Sequence, residues 1–224
     1  LTGAYDQSTT WIRSSTFDCT TGQISKLPHV GELTSSHIVV ENVSGLVMGT
    51  GIGQGFLNNI RNAKIGLNIV SSDIEVYNNN FEVLPYTFNY PIKCTAISAS
   101  GTSGNFLQSI RIGSPAVPNN NSISNWRIGI SANKIIGLNI DNNSISSNYA
   151  GIYVARCSNL KINNNMIRQF RTGIHCYDNS GNIEINTNYW DYKNQIAKRI
   201  NFVLMADEYI ALNSVRTGDV DFSI

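Results

Sequence analysis

Apolar residues alternate with polar ones in short bursts along this chain, and the bursts recur at a steady spacing. In residues 151–167, GIYVARCSNLKINNNMI, the apolar skeleton is Ile152 and Val154, then Leu160 and Ile162, then Ile167. Period-two alternation over so few residues predicts short strands rather than helices. The same skeleton stands upstream in residues 129–145, GISANKIIGLNIDNNSI. Residues 173–190, GIHCYDNSGNIEINTNYW, carry it one residue longer, and residues 66–81, GLNIVSSDIEVYNNNF, one residue shorter. Aligned on the last skeleton residue, Asn58, Asn79, Asn121, Asn143, Asn165 and Asn188 share one slot, separated by 21, 42, 22, 22 and 23 residues.

A fixed period in the twenties marks a solenoid, and the Leu-dominated signature of leucine-rich repeats is missing here. Three short strands per turn of about 22 residues, joined by bends and stacked on like neighbours, predict an all-β, single-stranded parallel β-helix. The alternation assigns Leu67, Ile69, Ile130, Ala132, Ile140, Ile152 and Val154 to its core. Leu160, Ile162, Ile167, Ile174, Cys176, Ile183 and Ile185 follow on the same grounds.

This skeleton resembles the right-handed parallel β-helix repeats of the pectin-lyase-like superfamily, in its secreted bacterial form, over roughly residues 37–190. The resemblance implies a right-handed coil and a secreted or cell-surface location. It names no activity, because many activities share the scaffold. Residues 1–224 read as one domain, with clear repeats over 37–190 and a closing rung or cap over 191–224, including a strand around Phe202 to Met205. Beginning at Leu1 without a secretory signal, the chain reads as a piece of a longer protein. The other domains of that parent chain would be among its partners.

The period also explains the run Asn163, Asn164, Asn165. A bend between stacked strands favours a residue that tolerates left-handed backbone and satisfies loose polar groups, and Asn does both. One Asn per turn in the same slot predicts a ladder of side-chain amides along the axis. From Asn79 to Asn121 the period doubles, yet only one skeleton intervenes: Ala96-Ile97 matches the Gly-Ile step and Ile110-Arg111-Ile112 matches Leu160-Lys161-Ile162. The surplus falls into loops, and the first holds Tyr86, Phe88 and Tyr90 between Pro85 and Pro91. A proline-stiffened aromatic loop can stack on sugar rings or dock a protein partner, or it can cover the coil.

Net charge is +1, which gives no reason to expect nucleic acid or an anionic membrane as partner. No apolar run approaches the length of a bilayer span. Cys19, Cys94, Cys157 and Cys176 are scattered, without Cys-x-x-Cys pairs or a His cluster, so neither zinc nor any cofactor is expected. In the repeat frame Cys176 takes an inward slot and Cys157 a bend, so no bridge between them is expected.

The enzymes of the superfamily imply acidic residues gathered on one face, for calcium or for paired-carboxylate hydrolysis. From Ala96 to Asp191 the acids are only Asp141, Asp178, Glu184 and Asp191, and the repeat frame scatters them. That disfavours a lyase or hydrolase. The frame does gather one basic and aromatic set. Lys64, Arg127, Tyr149 and Arg171 stand two positions before the Gly of each turn; Asn68, Ser131, Tyr153 and His175 stand two after it. Stacked about 4.8 Å apart, Arg127, Tyr149, Tyr153, Arg171 and His175 would form an outward patch suited to a glycan. A solvated outer strand is the simpler alternative. Two readings follow: a non-catalytic extracellular β-helical module for structure or adhesion, meeting a polysaccharide or a cell-surface protein, or a carbohydrate-active enzyme with His175 as general base.

Overall fold

The computed structural model describes residues 10–12, 16–18, 36–49, 58–83, 94–101, 107–114, 121–168, 171–186, 188–190 and 201–203. Its strands, numbered β1 to β19 in chain order, pair only in parallel and form three stacked faces of one coil. Face A stacks β1 (Thr10–Ile12), β4 (Leu46–Met48), β7 (Ile74–Val76), β10 (Leu107–Ile112), β12 (Ile135–Asp141), β14 (Ser158–Asn163) and β17 (Ser180–Asn186). Face B stacks β2 (Thr16–Asp18), β5 (Asn58–Arg61), β8 (Asn79–Glu82), the first part of β11 (Ser122–Asn133), the first part of β13 (Ser144–Ala155), β15 (Met166–Arg168) and β18 (Tyr189–Trp190). Face C stacks β3 (Ser36–Glu41), β6 (Ile65–Val70), β9 (Thr95–Ser100), the second parts of β11 and β13, β16 (Thr172–Tyr177) and β19 (Asn201–Val203). This is a parallel β-helix with three strands to the turn.

Two features go beyond the repeats. The rung formed by β1 and β2 precedes residue 37, where the period becomes readable, and pairs with β4 and β5. Strands β11 and β13 also run unbroken from face B to face C, so two short strands become one of 12 residues. Register shifts at Ser124/Trp126 and Trp126/Ile128 take up the corner. There Asn125 has φ 64°, which reverses the facing of the residues after it and drives Trp126, fully buried, into the core.

Every residue that the alternation assigns inward is buried. Neighbouring rungs meet like on like, Leu67 beside Ile97, Ile97 beside Ile130, Ile130 beside Ile152 and Ile152 beside Ile174. Such columns leave each rung's apolar face covered only by its neighbours, which is what makes a solenoid cooperative along its axis.

The corners account for the asparagines. Between faces A and B, Asn78, Asn142 and Asn164 have φ of 50°, 53° and 56°, the left-handed region that Asn tolerates. The residue after each turns inward. Asn58 Nδ2 donates to Asn79 Oδ1 at 2.8 Å, Asn79 to Asn121 at 3.0 Å, Asn121 to Asn143 at 2.9 Å, Asn143 to Asn165 at 2.9 Å and Asn165 to Asn188 at 3.1 Å. Each amide from Asn79 on also caps a main-chain carbonyl of the corner, such as Ile140 O by Asn165 and Ile162 O by Asn188. Asn79 and Asn121 are therefore axial neighbours despite the 42 residues between them.

The corner between faces C and A repeats the device with looser chemistry. Asn42, Ser71, Lys134, Arg156 and Asp178 take left-handed φ there, and the next residues are Val43, Ser72, Ile135, Cys157 and Asn179. Asn179 donates to Val154 O and accepts from Cys157 N, as the ladder asparagines do at the other corner. The Gly-Ile step has a steric cause. A Cβ on Gly129 would lie 2.6 Å from Gly151 O, and one on Gly151 would lie 2.7 Å from Gly173 O.

Candidate functional site

Alternation sends every second side chain of face C outward. Strand register sets Val39, Asn68, Ser98, Ser131, Tyr153 and His175 side by side on successive rungs. The column is small and polar from Asn68 to Ser131 and then turns bulky. Tyr153 and His175 stack with ring centroids 4.9 Å apart and planes 29° apart. That distance matches the spacing of rungs, so the rings lie across the axis. One face of Tyr153 is thus covered by His175, while the other looks over the short side chain of Ser131. The result is a shelf, a ring face standing above small hydroxyls.

A second column runs along the corner where face B becomes face C. Thr95 N donates to Lys64 O, Ile128 N to Cys94 O and Arg171 N to Tyr149 O. With Ile128 beside Ala150, these bonds order Lys64, Cys94, Arg127, Tyr149 and Arg171 along the axis. Arg127 Cζ lies 4.9 Å from the centroid of the Tyr149 ring, and Arg171 Cζ lies 5.9 Å from it. Because the two arginines belong to the rungs on either side of Tyr149, the ring separates two guanidinium groups. Cation–π contact holds both against it. Tyr149 is also the one large apolar side chain that is exposed among the described residues, at 41%.

Charge is distributed differently elsewhere. On face A, Arg111 meets Glu75 at 3.8 Å and Lys161 meets Glu184 at 3.5 Å, in the outward column Glu75, Arg111, Asn139, Lys161, Glu184. Arg61 meets Glu82 at 3.5 Å on face B, and Arg156 meets Asp178 at 3.6 Å at the next corner. Among the described residues neither Arg127 nor Arg171 has a carboxylate within ion-pair distance. Asp141 and Glu184 share face A, where the charge of Glu184 acts on Asp141, and Asp178 stands apart at the next corner. Glu184 and Asp178 are held by Lys161 and Arg156, and Asp141 ends β12, its carboxyl pushed up by burial against the pull of Arg111.

The structure thus sets Arg127, Tyr149 and Arg171 together at the corner and Tyr153 with His175 four residues further along the same face. Tyr86, Phe88 and Tyr90 lie outside the described residues. The described ends of their loop, Val83 and Cys94, border this corner: Val83 N donates to Ser124 O, and Cys94 Sγ accepts from Arg127 N at 3.3 Å. What the repeat frame does not reveal is the interleaving of Arg, Tyr and Arg and the shelf over Ser131. Both depend on side-chain rotamers that spacing alone leaves free.

Residues 86–201, just over half of the chain, match the family model described as NosD, periplasmic copper-binding protein. It is a family of right-handed β-helices within the pectin-lyase-like superfamily. A periplasmic family agrees with the secreted or cell-surface location that the resemblance implies. No curated protein and no solved structure matches the chain. Copper favours thiol, thioether and imidazole ligands. Among the described residues no three of His, Cys, Asp or Glu stand close enough to hold a metal ion. Cys94, Cys157 and Cys176 are free and buried in the coil. Burial pushes the Cys157 thiol up to about 11 and the Cys176 thiol up to about 12, which disfavours the thiolate a metal needs. His175 is engaged with Tyr153. These residues do not fit a copper site. Among the described residues no helix is long and apolar enough to cross a membrane.

Proposed function

The chain belongs to the NosD family, and from that premise we propose that it is a non-catalytic, extracytoplasmic β-helical module that binds a glycan across face C. The carrying observation is the Tyr153 shelf. One ring face is backed by His175 and the other stands over Ser131, with Ser98 and Asn68 continuing the column. A sugar presents an apolar C–H face and a rim of hydroxyls. The ring face suits the first, and a row of short hydroxyl and amide side chains suits the second. Backing by His175 fixes the ring before a ligand arrives, which lowers the ordering cost of binding.

The absence of catalysis in this reading rests on the placement of acids. Glu184, paired with Lys161, and Asp141 both stand on face A, and Asp178 is paired with Arg156 at the corner between faces C and A. None of the three faces the shelf, so His175 would have to act there without a carboxylate to orient it or to protonate a leaving group. The test is binding of neutral and acidic polysaccharides to the whole chain, measured by affinity electrophoresis and calorimetry with product analysis alongside. Retention that Tyr153→Ala abolishes, without new reducing ends or unsaturated products, is the expected result. Cleavage lost in His175→Ala would instead establish an enzyme.

A further inference from the structure

The corner column asks for a different chemistry from the shelf. Tyr149 is exposed, yet Arg127 and Arg171, from the rungs before and after it, bring their guanidinium groups to 4.9 and 5.9 Å from its ring centroid, so the ring is committed to cations first. Two cations so placed are two rungs apart, roughly 10 Å. They repel each other across a distance close to the screening length of physiological salt. Opposite charge relieves such repulsion elsewhere on the coil, where Arg61, Arg111, Arg156 and Lys161 each meet a carboxylate. At this corner no described residue does so. Lys64, in the same column, extends the positive edge.

We infer that the ligand of this face is a polysaccharide bearing carboxylate or sulfate groups, gripped by Arg127 and Arg171 as a pair, with Tyr149 as the spacer between them. The inference rests on the glycan reading and adds the charge of the ligand and the residues that select it. A guanidinium held flat against a ring keeps its N–H donors for the bidentate bonds that planar oxyanions accept. Holding both side chains in place beforehand reduces the rotamer entropy that an exposed arginine would lose on binding. Along β13 the corner and the shelf are four residues apart, roughly 13 Å. One chain crossing face C would reach both, with an acidic group at the clamp and a sugar ring on Tyr153. Successive acidic groups would then run along the coil axis or across the face according to their spacing on the polymer.

The experiment compares polygalacturonate, dextran sulfate, unmodified dextran and vesicles of anionic phospholipid as probes for the full chain and four variants. The expected result is binding of at least one acidic polysaccharide about tenfold tighter than dextran, weakening as salt is raised. The double variant Arg127→Gln, Arg171→Gln loses that advantage by about tenfold or more. Tyr149→Phe, which keeps the ring, binds as the parent does. Tyr149→Ala, which keeps both charges and loses their spacer, loses affinity too. The double variant Arg127→Lys, Arg171→Lys retains charge and keeps only part of the binding, which separates fork geometry from net charge. Circular dichroism of every variant guards against misfolding. Equal binding of dextran and the acidic polymers, unchanged in the double variant, overturns the clamp and leaves the glycan reading intact. Binding to no polysaccharide overturns both. Binding to the vesicles alone overturns both in favour of a lipid surface.

Discussion

Asn165 Oδ1 accepts two hydrogen bonds from Asn143 on the next rung, one from Nδ2 at 2.9 Å and one from the main-chain N at 3.0 Å. In return, Asn165 Nδ2 donates to Ile140 O, Asn163 O and Asn188 Oδ1. A single side chain thus satisfies polar groups of three rungs at a corner where water does not reach.

Replacing Asn165 by Ala takes the side-chain partner from Asn143 N and Ile140 O in the buried corner, while Asn163 O keeps Asn142 N, Asn188 Oδ1 keeps Asn165 N and Asn143 Nδ2 keeps Ile112 O. The expected loss is about 1–3 kcal/mol. Urea unfolding of Asn165→Ala and of Asn188→Ala measures it. Asn188 stands at the half-buried end of the ladder and should cost less. Equal effects at the two positions would show that water substitutes for the amide throughout.

The glycine of the Gly-Ile step is a steric requirement. A Cβ on Gly151 would stand 2.6 Å from Ile167 Cγ2 and 2.7 Å from Gly173 O. The second of these is main chain and cannot turn aside. Gly151→Ala should therefore lower stability by about 1–3 kcal/mol through overpacking, read as a shift of the unfolding midpoint without loss of the β-type circular dichroism spectrum.

The coil was legible because a repeat multiplies weak signals. Leu160-Lys161-Ile162 alone would be any short strand, but the same triplet recurs as Ile110-Arg111-Ile112 and Ile183-Glu184-Ile185 at the same phase. The residues of these triplets meet across the rungs of face A. Where alternation fails, so does the reading. The left-handed turn at Asn125 changes which side chains face inward, and Trp126 becomes core although plain alternation from Ile123 would turn it outward. The rung of β1 and β2 was hidden because three residues per strand are too few to show a period. At the candidate site the offsets revealed which side chains share a column. They could not reveal that Tyr149 stands between two guanidinium groups, since that is decided by rotamers.

The buried thiols predict a pH dependence. Burial raises Cys157 to about 11 and Cys176 to about 12, while an unfolded thiol titrates near about 8.5. Between those values the unfolded chain releases protons that the folded chain retains. The thiols' contribution is therefore complete below about pH 8.5 and declines as pH rises towards 11–12. Cys157→Ser and Cys176→Ser variants should show a shallower decline over that range. At neutral pH, iodoacetamide followed by peptide mapping should find Cys94, Cys157 and Cys176 unlabelled until denaturant is added.

Ion pairs on face A should matter little. Lys161 and Glu184 meet at 3.5 Å, but half of the Lys161 side chain is exposed. Lys161→Met should change stability by less than about 1 kcal/mol, and less still in high salt. A larger effect in the unfolding curve would mean that the outward column is cooperative along the axis.

The shelf can be closed without disturbing the core. Ser131 points outward beside Tyr153 and is half-buried, so a larger side chain there extends over the face instead of pressing inward. A phenyl ring would stack on the uncovered face of Tyr153 and prolong the Tyr153–His175 stack by one rung. Ser131→Phe should leave the free energy of unfolding unchanged or raise it by up to about 1 kcal/mol, since an aromatic pair stabilises beyond its buried area. The same ring occupies the space proposed for the sugar, so affinity for dextran and other neutral polysaccharides should fall to the level of Tyr153→Ala. Oxyanion binding at Arg127 and Arg171, roughly 13 Å away along the strand, should persist in part. Undiminished binding of a neutral glycan to a stably folded Ser131→Phe protein would place the sugar elsewhere and remove the shelf from the account.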